Sequence, residues 1–303
     1  MLSQQTVYLP LIPTAERGVR PYYIDLGFTL TKGFDWSLDE SGVPTRPYYS
    51  VGRQYSPTRV AAFALANWNV FLETHSAQHK ANFFRQVDWF MQNARDRGAG
   101  VVWEYCFDWA GGLRDPWISC MAQGEGISVL CRAYELTRND EYLDTARRAV
   151  HVFQQGIEEG GVRGEYPDGS VCLEEYPYPD RPPSHVLNGF LYALFGLLDL
   201  RESDGGNGEE MLDACVSSLR TNLEQYDLKY WSAYELVQGV PNPATRDYHD
   251  LHIAQLTVLH HLTGESVFGE TAEAWRAYRM KPSNRAKALF GKLKHRILNP
   301  APR

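Results

Sequence analysis

Three stretches of the chain bring carboxylates, phenols and imidazoles together with aromatic residues. Leu173-Glu174-Glu175-Tyr176-Pro177 runs into Ser184-His185-Val186-Leu187-Asn188-Gly189-Phe190. The second is Tyr230-Trp231-Ser232-Ala233-Tyr234-Glu235-Leu236, and the third is Arg246-Asp247-Tyr248-His249-Asp250-Leu251-His252. A carboxylate in apolar, aromatic surroundings gains basicity by desolvation, and Glu175 beside Tyr176 and Pro177 fits that description. A phenol, with an ordinary pKa of about 10, is a competent proton donor and must be perturbed to act as a base. The chemistry these groups suit is paired proton transfer. Adjacent carboxylates in an extended segment point to opposite sides, so one of Glu174 and Glu175 can face a cleft while the other does not. Asn188 lies in an otherwise apolar helix and needs a hydrogen-bond partner, so it is expected to tie its junction together. His249 and His252, three apart, can share a helical face. No third ligand follows at a suitable spacing, so no metal is expected.

The elements that must hold these groups are helices. Residues 1–56, punctuated by Pro10, Pro13, Pro21, Pro44 and Pro47, read as extended and irregular, packed on the main body, with Val7-Tyr8-Leu9 and Tyr22-Tyr23-Ile24 strand-like at best. Ser56-Pro57 is a helix-start pair, with Ser56 the capping candidate. Apolar periodicity then predicts a helix from residue 57 and others over about 80–96, 117–137, 139–158, 184–202, 208–226, 249–263, 267–280 and 283–297. The helix holding Val186–Phe195 is apolar nearly all round, as a helix buried on both sides must be. Short extended pieces are expected at about 100–106, 162–166, 171–174 and 229–235. Helix, turn, helix, then a longer loop is the order of stacked helical hairpins. The expected class is therefore all-α, an α/α-toroid over 57–281 with a few short strands in its loops and a basic C-terminal helix and tail over 282–303. That basic tail reads as a solvated surface helix, with a role as an anchor for an acidic polymer or membrane surface as the alternative.

Composition removes several functions. A formal net charge of −7 argues against a nucleic-acid partner. Gly111-Gly112 and Gly205-Gly206 lack the strand–loop–helix context of a nucleotide site. Five cysteines without CxxC spacing give neither a disulfide framework nor a zinc site, and read as buried thiols in a reducing compartment. Neither a secretory leader nor a membrane-length apolar run is evident, so a cytoplasmic protein is expected. Aromatic residues make up 13% of the chain, with 18 Tyr and 8 Trp. Rings with apolar faces and polar edges suit sugar faces as well as a packed core.

Trp117-Ile118-Ser119-Cys120-Met121-Ala122-Gln123-Gly124 and Ser128-Val129-Leu130-Cys131-Arg132-Ala133-Tyr134 resemble the Met-Ala-Gln-Gly region of the heparan sulfate glucuronyl C5-epimerases. The Glu-Glu-Tyr-Pro and Val-Leu-Asn-Gly-Phe segments, Tyr226-Asp227, Tyr234-Glu235-Leu236, Asp247-Tyr248-His249, His252 and Gln255-Leu256 follow in the same order. The resemblance covers about 115 to 280. It implies an α/α-toroid catalytic domain that converts D-glucuronate to L-iduronate inside a heparosan-like polymer, without a cofactor. The partner it implies is thus an anionic uronate polysaccharide, and it suggests a homodimer. Carried over, the catalytic residues are Glu175, Tyr176, Tyr234 and Tyr248, with Glu175 and Tyr248 exchanging the C5 proton. Trp117, Gln123, Asn188, Arg246, His249 and His252 are the expected substrate contacts. The β-rich domain of animal members, and any calcium site in it, is expected to be missing between Tyr55-Ser56-Pro57 and the Met-Ala-Gln-Gly segment. Val237 stands where the family has an arginine, which leaves Arg246, Arg163 or Arg181 to meet the substrate carboxylate. Competing readings are a uronate lyase, a glycoside hydrolase pairing Glu175 with Asp247 or Asp108, and a glycan-binding module without catalysis.

Overall fold

The computed structural model describes residues 8–11, 19–31, 35–98, 100–109, 111–206, 208–237 and 241–299. The start of the N-terminal segment, including Val7 and Pro13, and the end of the basic tail lie outside the described residues. Four helical hairpins follow one another: α1 (Pro57–Thr74) with α2 (Ala77–Gln92), α3 (Cys120–Thr137) with α4 (Asp140–Ala149), α5 (Leu187–Asp204) with α6 (Glu209–Asn222), and α7 (Arg246–Thr263) with α8 (Ser266–Met280). The first helix of each hairpin packs on the first helix of the next, giving an inner layer α1, α3, α5, α7 and an outer layer α2, α4, α6, α8. This is the expected all-α toroid. A ninth helix, α9 (Pro282–Leu298), follows α8 directly.

Five of the predicted helices run too far at one end; the one expected over 208–226 is α-helical only to Asn222 and finishes as a 3-10 turn over Leu223–Tyr226. The helix expected over 80–96 stops at Gln92, and Arg95–Asp96 (β4) pairs with Val101–Val102 (β5). Trp117 is extended, bridging Tyr105, before α3 begins. The helix expected over 139–158 ends at Ala149 and continues only as short 3-10 turns. Ser184–Val186 stay outside the helix ahead of α5: His185 takes a left-handed φ of 51° and Val186 is extended. The other short strands are Arg163–Glu165 (β6) with Val171–Leu173 (β7), and Ala233–Glu235 (β8) with Asn242–Pro243 (β9). The N-terminal region is more ordered than its prolines suggest. Ser37–Leu38, Pro44–Tyr48 and Gly52–Tyr55 form a three-stranded antiparallel sheet, named βA, βB and βC here because it precedes the toroid. Ser56 does precede α1, but its hydroxyl bonds the Thr58 hydroxyl (3.0 Å) and caps no backbone N–H.

Two features fix the inner layer. At α3–α5, a Cβ on Gly124 would meet the Ala193 Cα and the Tyr192 carbonyl oxygen at 2.5 Å, and one on Gly196 would meet the Gly124 carbonyl oxygen at 2.4 Å. Only glycine at both places lets the two backbones approach this closely. α5 is buried continuously from Leu187 to Leu200, as its all-round apolar sequence requires. Deeper in, Arg132 of α3 bonds Asp199 of α5 (2.5 Å), the Ser128 carbonyl and the Pro21 carbonyl, and Tyr23 donates to the same Asp199 (2.7 Å). Both charges are fully buried and paired with each other, with Arg132 Nε left without a hydrogen-bond partner, so removal of either charge is costly. The pair also pins the N-terminal segment to the inner helices. Earlier in that segment, Tyr8, Leu9 and Pro10 line a shallow pocket together with Asp250, Ile253 and Ala254 of α7.

Candidate active site

A cleft of about 300 Å³ opens on the inner layer between the sheet βA–βC, α1, α3, α5 and the start of α7. The carboxylate that faces it, Glu175, is positioned by the strand β7, which ends at Leu173. Glu174 turns inward, where its carboxylate accepts from Ser184 N (3.1 Å), His185 N (3.1 Å), the Ser184 hydroxyl and His185 Nδ1 (2.7 Å). Those bonds close the loop 174–185. Tyr226 clamps it from behind by donating to the His185 carbonyl (2.9 Å). Glu175, on the opposite side of the extended chain, faces the cleft at 7% exposure and accepts from Asn188 Nδ2 (3.2 Å). A Cβ on Gly189 would lie 2.6 Å from the Glu175 carboxylate, so the Asn-Gly pair both bonds the carboxylate and makes room for it. Burial raises the Glu175 pKa to about 7, against the opposing effects of hydrogen bonds from Tyr176 and Asn188. Near neutrality it is therefore both a usable base and, once protonated, a usable acid.

Tyr176 lies beside Glu175, its ring parallel to Trp109 with centroids 6.0 Å apart. Trp117 stacks on Tyr105 (3.9 Å) and spends its indole N–H on the Phe107 carbonyl (2.9 Å). Together these rings form an aromatic wall suited to a sugar face. Tyr248 sits in the first turn of α7, whose cap is Thr245, and keeps 37% of its surface open to the cleft. Tyr234 on β8 meets Tyr248 edge-on at 5.0 Å. Glu175, Tyr176, Tyr234 and Tyr248 form an electrostatically coupled row, each close enough to the next to shift its titration. Burial, reinforced by Glu175, holds the phenols of Tyr176 and Tyr234 well above their ordinary range. Tyr248 is raised as well, by burial of its hydroxyl end and by Glu175, while Arg59 and Arg46 pull it back down. Its outer ring is open, so solvent screening weakens the push on it.

Of the residues expected to meet substrate, Trp117 and Asn188 line the cleft and four lie elsewhere. The Gln123 amide is spent on the Val101 and Ala149 carbonyls and on Trp103 N, which lock β5 to α3. His249 stacks on Trp231 (3.7 Å), bonds Ser232 through Nδ1 and the Trp275 carbonyl through Nε2. His252 also bonds the Ser232 hydroxyl (3.0 Å). Burial lowers His249 to about 3 and His252 well below its ordinary value, so both are neutral braces that hold β8 against α7 and set Tyr234 against Tyr248. Arg246 is half-exposed near Asp250. Arg163 lies on β6 beside Glu165, Arg181 stacks over Tyr178, and Asp108 is exposed and paired with Arg114. The cysteine reading also needs correction, since Cys106 is exposed while Cys120, Cys131, Cys172 and Cys215 are buried thiols.

The cleft's cations come from a place the sequence did not mark. Arg46 of βB and Arg59 of α1 both line it and share Asp35 (3.3 and 3.1 Å), leaving a net positive charge there in an acidic chain. Arg46 lies between two prolines read as irregular. Arg59 lies in the first turn after Ser56-Pro57. A second carboxylate, Glu125 of α3, also lines the cleft at 1% exposure, with Oε2 lacking any hydrogen-bond partner. Burial pushes its pKa well above the usual range, Arg59 opposes, and Glu175 adds to the rise. It is therefore a neutral carboxylic acid with a proton to donate. A signal for it existed: it is the one acidic residue between Cys120 and Ala133, a stretch of α3 that is buried almost throughout. Cys172, Glu174 and His185 bring their donor atoms within 4.8 Å of one another, but the Glu174 carboxylate and the His185 Nδ1 are already bonded to each other, and Glu174 accepts three further bonds.

Stacked helical hairpins with an acid–base cleft on the inner layer define an α/α-toroid protein. A family 76 glycoside hydrolase from a bovine Bacteroides thetaiotaomicron strain shares the fold at a TM-score of 0.54 and 12% identity, over 80% of this chain and 50% of that one. The GH76 α-mannanase of Bacteroides thetaiotaomicron does so at 0.50 and 12%, over 81% and 63%. The sequence profile of the D-glucuronyl C5-epimerase C-terminus matches residues 95–277, and the chain belongs to that family. It is 36% identical over 220 residues to the D-glucuronyl C5-epimerase of Caenorhabditis elegans, covering 66% of this chain and 35% of that protein. An uncharacterized protein of Methanocaldococcus jannaschii is 27% identical over 179 residues, 58% of this chain and 57% of that one. The chain thus spans about a third of the nematode relative and just over half of the archaeal one.

Proposed function

We propose that this chain inverts C5 of a D-glucuronate unit within a heparosan-like polymer, giving L-iduronate. The observation that carries the reading is Glu175, a cleft carboxylate raised to about 7 that shares the cleft with Tyr176 and Tyr248 and is electrostatically coupled to them and to Tyr234. The C5 hydrogen lies next to a carboxylate, so its removal loads further charge onto an anion, and donors must meet that charge where it develops. Arg46 and Arg59 supply positive charge, and the neutral Glu125 supplies an O–H. Glu175 takes the C5 proton, and the bonding pair moves into the substrate carboxylate as an enediolate. Tyr248 then gives its phenolic proton to C5 from the other face, and the pair returns to carbon. Glu175 is left protonated and Tyr248 as phenolate, and the chain of hydroxyls through Tyr176 and Tyr234 carries the proton back. The N-terminal end of α7, together with Arg59 and Arg46, offsets part of the burial that raises the Tyr248 phenol.

Incubation of heparosan and other glucuronate polymers in heavy water tests the reaction. Deuterium at C5 in chains of unchanged length is the expected result. Unsaturated chain ends would make the protein a lyase, new reducing ends a hydrolase, and unaltered polymer that is nevertheless retained would make it a glycan-binding module.

A further inference from the structure

α9 packs on the body through Ala288 and His295, which are 4% and 8% exposed, and Gly291 lies against Pro243. Its opposite face carries Leu289, Phe290, Leu293 and Ile297, exposed at 61%, 69%, 46% and 77%. A surface helix ordinarily turns polar residues outward, so four large apolar side chains in one outward stripe call for a covering partner. At about 100° per residue, Arg285 and Arg296 fall along one edge of that stripe, and Lys287 and Lys294 along the other. The segment Pro282–Leu298 contains no acidic residue. Arg285, Lys294 and Arg296 pair with no carboxylate among the described residues, and Lys287 rests over the Tyr230 ring (3.9 Å). No described helix is long and apolar enough to cross a membrane.

We infer that α9 docks this protein on an anionic membrane surface, with the apolar stripe entering the leaflet and the flanking cations meeting acidic lipid headgroups. The occupant must be apolar at its centre and anionic on both sides, which a leaflet with acidic headgroups provides. A second copy of the chain fits less well, because a two-fold contact through this face sets cations against cations. An anionic polysaccharide would engage the cations and leave Leu289, Leu293 and Ile297 without a complementary surface. The protein's net charge of −7 opposes any other face approaching the same membrane, so the helix also fixes the orientation of docking.

The test is sedimentation of the full chain with vesicles of phosphatidylcholine alone, and of phosphatidylcholine with about 30% phosphatidylserine. The expected result is binding to the phosphatidylserine vesicles only, weakened by salt as the charge attraction is screened. The Phe290→Ser/Leu293→Ser double variant should lose about tenfold or more in partitioning, and each of Arg285→Gln, Lys294→Gln and Arg296→Gln about fivefold. These positions face solvent, so the variants should keep the parent melting temperature. Absence of binding to acidic vesicles at low salt overturns the inference, as does binding that the double variant leaves untouched. A dimer in light scattering that the double variant dissociates, without vesicle binding, would identify the occupant as a second copy. Retention by heparosan that depends on the cations but not on Phe290 and Leu293, again without vesicle binding, would identify it as the polymer.

Discussion

Replacing Glu175 by Gln should separate the charge at the centre of the cleft from everything around it. The carboxyl has an ordinary pKa of 4.5 and is raised to about 7 in the fold. Holding it ionised in the native state therefore costs about 3 kcal/mol relative to the unfolded chain. Below about pH 4.5 the group is protonated in both states and imposes no penalty. As pH rises toward 7 the unfolded chain ionises first, so stability falls, and above about 7 the full penalty is in force. The Gln variant keeps an amide oxygen for Asn188 and carries no charge. Its stability relative to the parent should therefore rise by about 3 kcal/mol between about pH 4 and pH 9, appearing as a melting-point gap that widens by roughly 5 °C. Other titrating groups are common to both proteins and largely cancel in the difference. Thermal or urea unfolding of both proteins across that range is the assay. Parallel curves would refute the reasoning, because they would mean that Glu175 titrates as an ordinary carboxylate. The same substitution should lower C5 exchange by about 10²–10⁴-fold.

Further outcomes follow from the neighbours. Arg59→Gln should weaken kcat/KM for a glucuronate polymer by about 10- to 100-fold, as loss of a charge-assisted contact does, and reduce its dependence on salt. Glu125→Gln keeps a neutral donor, so it should retain most activity near neutrality. If the neutral Glu125 donates to the substrate, activity of the parent should fall as this group ionises with rising pH. The variant's alkaline limb should therefore move upward, and an inactive Gln variant would instead make Glu125 a base. Gly124→Ala should destabilise the fold by about 3 kcal/mol or more, measured by urea unfolding, because its Cβ would meet the α5 backbone at 2.5 Å.

The helices were legible because burial of one face leaves a period in the sequence and burial of all faces leaves a long apolar run. α5, apolar all round, and the α3–α4 turn at Arg138-Asn139 follow directly from that pattern. The divided roles of Glu174 and Glu175 were legible too, since an extended backbone must send neighbours to opposite sides. Asn188 was expected to need a partner and found it in Glu175. The sheet over Ser37–Tyr55 was not legible, because Pro44 and Pro47 hide a strand whose neighbours are tied by non-local pairing. For the same reason Arg46 could not be assigned to a cleft built mainly from residues far along the chain. His249, His252 and Gln123 carry the polar signature of a binding site, yet they serve as buried braces. A side chain's chemistry does not say which way it points, and only packing decided that these three bond the scaffold.

The most direct measurement is C5 deuterium incorporation into heparosan in heavy water, followed by NMR for the parent, Glu175→Gln and Tyr248→Phe side by side. C5 deuterium and iduronate signals are expected with the parent, in chains of unchanged length, and loss of both is expected with either variant. Unchanged incorporation with Tyr248→Phe would contradict the two-residue exchange, and chain cleavage by the parent without deuterium at C5 would contradict the epimerase reading itself.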